Sequence, residues 1–213
     1  LAVIVLALAR AGPAEPTLTI TLRVLNYAEV PEKTLIQAEE EVTRIFRKIG
    51  VESVWRHISL SSEQNPAGSV FRRSSFPSLQ LSILIISRSA AKTMAERLDL
   101  KKEVFGLSPR SKDGRGGRLA YVFHHRVREY VIKRTLFEQE ALVLGLVIAH
   151  EIGHLLLNHT NHSRTGIMRE RWDRQDLRLA AFGDLVFSPQ QADLIRAEVA
   201  RRMIKRENSK NRK

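Results

Sequence analysis

Ala149-His150-Glu151-Ile152-Gly153-His154-Leu155-Leu156-Leu157 closes an apolar run, and its reading decides how the rest of the chain is arranged. From Ala141 to Ala149 almost every residue is apolar, a pattern that suits a helix covered on all sides better than one with a wet face, so the run predicts a buried helix over Leu136–Leu157. Residues four apart on an α-helix stand one above the other. His150 and His154 can therefore present a ring nitrogen each to a single point, and Glu151 falls beside them. Two imidazoles converging on a helix buried in a core are the start of a preorganised metal site, because neutral imidazole is a good zinc ligand.

The spacing is H-E-x-x-H. Three fixed positions recur by chance in roughly a few per cent of chains of this length, so the setting has to carry part of the argument. A catalytic zinc takes three protein ligands and leaves one position open, which calls for a third donor nearby. His162 is the best candidate, eight positions on from His154; a continuing helix would carry it about 12 Å further along the axis. The helix must stop and the chain turn back. Asn158 is a suitable stop, since Asn tolerates the left-handed conformation that closes helices, and His159, Thr160 and Asn161 make a short return. If His162 is not the ligand, Glu170 and His159 are next. The plainer alternative is a helix that happens to carry two histidines, with His162 on the surface. In the metal-site reading, Glu151 is placed as the general base that takes a proton from an activated water.

His150-Glu151-x-x-His154, a nearby His and then Gly166-Ile167-Met168 together resemble the metzincin clan of zinc endopeptidases. The likeness is closer to a bacterial group of secreted metzincin-like proteins, in which an apolar helix ends in H-E-x-G-H-L-L-L and H-S-x-T-G-I-M follows. Here those stretches are His150 to Leu157 and His162-Ser163-Arg164-Thr165-Gly166-Ile167-Met168. The resemblance implies zinc held by His150, His154 and His162, catalysis by Glu151, and Met168 beneath the metal as an apolar floor, where packing alone would equally make it an ordinary core methionine. The metzincin pattern has Gly three residues after the second His and the third ligand six after it. Leu157 and Thr160 occupy those positions, so the return loop is two residues longer.

With 213 residues and 43% apolar content, the chain suits one compact domain with room for a small second lobe. It has no cysteine, which excludes disulfides and thiolate zinc sites. Leu1 to Ala9 is apolar, and Ala9-Arg10-Ala11 before Gly12 fits the small-residue rule for signal-peptidase cleavage. Residues 1–11 are therefore expected to be the remainder of a signal peptide and the protein to be secreted or periplasmic, the alternative being a hydrophobic first strand. No later segment is expected to span a membrane.

Alternation of Leu18, Ile20, Leu22 and Val24 with polar residues predicts a strand over Thr17–Tyr27. A helix opening at Pro31 follows, with Leu35, Ala38, Val42, Ile45, Phe46 and Ile49 as its stripe and Gly50 as its end. Val51–Leu60 reads as a second strand, Ser61–Ser78 as a loop and Leu79–Ser87 as a central strand. Beyond a short helix at Ser89–Leu98, Glu103–Pro109 and Leu119–His124 read as strands around a basic Gly-rich loop, Arg110–Arg118. The resemblance implies an antiparallel edge strand that pairs with extended substrate, and Glu103–Pro109 is the favoured edge, with Leu119–His124 inside it. His124 and His125, adjacent in a strand, would point to opposite faces and cannot chelate together. They and His57 are read as structural or surface histidines.

The expected fold is thus a mixed α/β, metzincin-like sheet with an N-terminal packing helix, an active-site helix and a small helical C-terminal lobe. The catalytic domain spans 12–187, its upper lobe ending near 158, and 188–213 is a C-terminal helix with a basic tail. Arg169–Phe187 holds a turn and short helix, which the resemblance makes the wall of the pocket beyond the scissile bond. Ser188-Pro189 starts the last helix, running to about Glu207. Eight basic residues from Arg196 to Lys213 face only Glu198 and Glu207, so half of the formal +12 lies in this segment. Such a segment is most simply a solvated face, and it lacks the aromatic residues that stack on single-stranded bases.

The function expected is therefore zinc-dependent endopeptidase action on a peptide or protein substrate, by a monomer with no specific nucleic-acid partner. Two alternatives stay open: a non-catalytic zinc-containing binding module, and a basic metallopeptidase acting on nucleic-acid-bound proteins.

Overall fold

Thr19–Asn26 (β1) carries its branched and apolar side chains on both faces into the interior, Ile20, Thr21, Leu22, Val24 and Leu25 all being buried. Thr21 shares that burial, which alternation alone does not predict; β1 is flanked by two parallel partners, a position in which both faces are covered. The computed structural model describes residues 17–58, 79–109, 117–136, 139–157 and 162–210, without the side chains of 205–210. The signal-like run 1–11, the loop Ser61–Ser78, most of the Gly-rich loop and the return at 158–161 lie outside the described residues.

From β1 the chain crosses through α1 (Glu32–Lys48) to β2 (Glu52–His57), parallel to β1. Leu35, Ala38, Val42, Ile45 and Phe46 form the buried stripe of α1, as the helical spacing requires. β3 (Leu79–Ile85) lies on the other side of β1 and is the central strand, also parallel. After α2 (Arg88–Arg97) come β4 (Gly106–Leu107) and β5 (Leu119–Val122), giving a five-stranded sheet in the order β2-β1-β3-β5-β4. The fold is mixed α/β with a mostly parallel sheet. Among the described strands only β4 runs antiparallel, Gly106 opposite Val122 and Leu107 opposite Tyr121, and it forms one edge with β5 inside it.

The strands are trimmed from their expected bounds, most of all the two at the β4 edge. Of Glu103–Pro109 only Gly106–Leu107 pair, extended by a hydrogen bond from Phe123 N–H to Phe105 O (2.8 Å). Leu119–His124 ends at Val122, and His124 and His125 instead open a helix, α3 (His124–Lys133), that the alternation argument missed. Val127 and Val131 are its buried apolar residues, a helical spacing hidden among charges. His124 is buried against Glu140, Nε2 to Oε1 2.8 Å, and His57 in β2 pairs with Glu39, so both serve the scaffold.

α4 (Glu140–Leu157) starts four residues later than expected, and the stop expected at Asn158 lies outside the described residues. It is long and apolar enough by composition to cross a membrane, a property the sequence reading did not grant any segment beyond the N-terminus. Here 72% of it is buried inside the fold, against α1, α3, α6 and β5, so it is the core helix.

α5 (Arg174–Ala181) is closed at its start by a capping box between Asp173 and Asp176. α6 (Pro189–Lys210) begins with Ser188 and Gln191 bonding reciprocally, side chain to backbone N–H. Ala192, Ile195, Val199 and Met203 of α6 join the same core cluster as α1, α4 and the sheet. The basic segment is therefore not wholly solvated. Arg202 is buried, pairs with Glu198 and donates to the carbonyls of Leu155 (2.7 Å) and Gly117 (3.1 Å), and Arg196 reaches Ile49 O (3.3 Å).

Candidate metal centre

His150 is fixed before any ligand is considered. It is buried deep in α4, and its Nδ1–H donates to the carbonyl of Ile167 at 2.9 Å, which leaves Nε2 as the bare nitrogen facing outward. The Trp172 indole N–H donates to the same carbonyl (3.2 Å), and its ring stands edge-on to the imidazole with centroids 5.8 Å apart. Burial, with His154 adding to it, holds the His150 imidazole far below the ordinary histidine range, at about 3, against the raising effect of the Ile167 hydrogen bond. The neutral ring is the form that ligates a metal.

One turn on, His154 Nε2 lies 3.0 Å from His150 Nε2. In a tetrahedral zinc set with bonds of about 2.0–2.1 Å, two ligand nitrogens stand about 3.3 Å apart, so the pair is nearly at that spacing. His162, past the end of the helix, stacks beside His150 (centroids 5.2 Å, planes 23° apart) and stands edge-on to His154 (5.1 Å). One nitrogen from each of the three lies within 4.8 Å of the others, close enough to bind one metal ion. A donor set of three imidazoles suits zinc and other borderline metals. Glu170 is exposed and outside this group, and His159 is outside the described residues.

A tight turn follows His162. Ser163 N–H donates to Met168 O (2.8 Å), Ser163 Oγ to Thr165 O (2.6 Å), and Gly166 takes φ +75°, a conformation that glycine adopts without strain. Ile167 N–H is tied to Val186 O at 3.0 Å, anchoring the carbonyl-bearing residue that orients His150. Met168 is fully buried behind α4; a Cβ at Gly153 would come within 2.5 Å of its sulfur and 2.9 Å of Phe187. Gly153, between the two helical histidines, therefore lets the Met168 turn sit directly against α4.

Glu151 is buried on the side facing the sheet edge. Ser108 Oγ lies 2.7 Å from its Oε2 and 2.9 Å from its backbone carbonyl, so the one hydroxyl proton is shared between the carboxylate and the helix backbone of the same residue. Burial pushes the Glu151 carboxyl up to about 7, and the Ser108 hydrogen bond pulls it partly back. A group poised there can both accept and return a proton near neutrality. Gly106 of β4 passes so close that a Cβ would meet the Glu151 side chain at 2.6 Å.

Ser108, Gly106 and Trp172 were not among the residues singled out by motif. Ser108 and Gly106 sit more than forty positions before Glu151, and no local spacing ties them to it. Compared with profiles of known protein families and with curated protein sequences, the chain matches none.

Proposed function

We propose that this protein is a zinc-dependent endopeptidase of metzincin-like architecture. The observation that carries the reading is the meeting of three imidazoles, His150, His154 and His162, beside a buried carboxylate one residue along the same helix. Zinc held by these rings would polarise a peptide carbonyl and make water a nucleophile at neutral pH. His150 is kept in the ligating tautomer by Ile167 O. Glu151, through Oε1 or Oε2, takes the proton of the attacking water and returns it to the leaving amine nitrogen. Ser108 keeps that carboxylate aimed. The antiparallel edge strand β4, beside α4, offers main-chain groups for an extended substrate, and the turn with Met168 lies behind the histidines; both support the metzincin-like reading. The signal-like residues 1–11 support an activity outside the cytoplasm.

Zinc content and cleavage of an unstructured protein such as casein, measured on wild type beside Glu151→Gln, test this. One zinc per chain in both and cleavage by wild type alone is the expected result, the variant losing about 10²–10⁴-fold. Absence of zinc from the wild type would sink the reading.

A further inference from the structure

We infer that the enzyme selects substrates by an acidic segment, bound in a basic cleft that adjoins the metal centre; this rests on the peptidase reading. The cleft, about 820 Å³, runs between α2, α3 and the stretch leading to β4. Its wall toward the metal centre is aromatic. Phe105, next to Gly106 at the Glu151 side chain, meets Tyr130 edge-on (5.2 Å); the Tyr130 hydroxyl donates to Trp172 O (3.3 Å), and Trp172 abuts His150. A chain lying in the cleft is thus one side chain away from the candidate metal ligands.

Charge is unevenly spread along it. At the far end the cations are already engaged: Arg88 with Glu129 at 2.8 Å, Arg126 with the carbonyls of Lys101 and Val104. Lys133, Arg134 and Arg171 sit at the end near Trp172, are exposed, and have no carboxylate partner among the described residues. Arg134 then forms the ridge to a second pocket of about 310 Å³, where Arg174 and Arg178, one helical turn apart on α5, complete a band of five such cations. Of the acids in the cleft wall, Glu96 faces Lys92 and Glu129 faces Arg88, while Asp99 and Glu103 lie on the stretch between α2 and β4; on α5, Asp173 and Asp176 are held by Arg169 and the cap.

Carboxylates fit this band better than nucleotides do. Arg134 already covers the Tyr130 ring at 4.0 Å, and Trp172 is buried against His150, so these rings offer no open face on which a base could stack. Arginine forks bind carboxylates in pairs of hydrogen bonds, and several such exposed pairs acting together are worth about tenfold in affinity.

The test measures binding of a fluorescent peptide containing four consecutive Glu, and of its Gln counterpart, to the full chain at low salt, by anisotropy. The same peptides are assayed separately for cleavage. The Glu peptide is expected to bind about tenfold more tightly, with the preference fading as salt rises. It should be lost in Arg134→Gln/Arg174→Gln and kept in Lys33→Gln/Arg56→Gln, a control of equal charge change whose Arg56 lies on β2, the opposite sheet edge. Equal binding of the two peptides, or equal loss in both double variants, would overturn the inference. So would tighter binding of a single-stranded oligonucleotide of matched charge, which would make the band a nucleic-acid site. Preference without cleavage of any peptide leaves the acidic site standing and the peptidase reading fallen; cleavage without preference does the reverse.

Discussion

His162 is the residue on which the three-nitrogen site depends, because it lies outside the helix that aligns His150 and His154 and is followed by the hydrogen-bonded 163–168 turn. Loss of residues that merely orient a ligand costs about 10–100-fold in metal affinity, and loss of a ligand itself should exceed that. His162→Ala is therefore expected to weaken zinc binding by more than about 100-fold in a competition titration; unchanged affinity would place the third ligand elsewhere. Ser108 acts on the other half of the site. Its hydroxyl hydrogen-bonds Glu151 and is not one of the three nitrogen donors, so Ser108→Ala should lower kcat by about 10–100-fold while zinc content stays at the wild-type value. A parallel loss of zinc would show that Ser108 supports the fold and not the base.

Among the elements, α6 does more than its composition suggests. Glu198 sits buried between Arg201 and Arg202, and although burial alone would raise its carboxyl, the hydrogen bonds and charges of the two guanidiniums outweigh that and hold it below the ordinary range. A carboxyl depressed in the folded state adds stability that is present above its unfolded value, near 4.5, and is lost as pH falls through the lower folded value. Glu198→Gln should therefore lower Tm at pH 6 to 7 and converge with wild type in strong acid, as thermal melts across pH would show. A constant difference at all pH values would mean that packing alone is at stake. Arg202, the partner on the other side, ties α6 to the last turn of α4 through Leu155 O, one residue past His154.

For the molecule as a whole, the C-terminal helix is part of the body that holds the site. Ala192, Ile195, Val199 and Met203 bury their side chains in the core shared with α4, and burial of four such groups is worth about 5–10 kcal/mol, comparable to the whole stability of a domain. Truncation before Ser188 should leave a chain without cooperative unfolding and without a bound metal, read by circular dichroism and zinc content. A truncated chain that still melts cooperatively and binds zinc would show that α6 is an appendage.

Much of this was legible from residue patterns. The apolar run ending at Leu157 announced a core helix because nearly all its side chains had to be covered, and H-E-x-x-H placed two histidines on one face because four residues make just over a helical turn. Strands β1 and β3 and helices α1 and α6 followed from periodicity and end signals in the same way. Local pattern failed where pairing or charge masked it: α3 hides two buried valines among basic residues, and β4 is a strand only because β5 lies beside it. Ser108 at Glu151, Trp172 at His150, Arg202 under α4 and the basic band around Arg134 join residues distant in sequence. The sequence by itself determined the helix and the chemistry it carries, since both depend on spacings of a few residues. Only the tertiary structure decided what holds and surrounds that chemistry, because those contacts are made across elements whose approach no local spacing encodes.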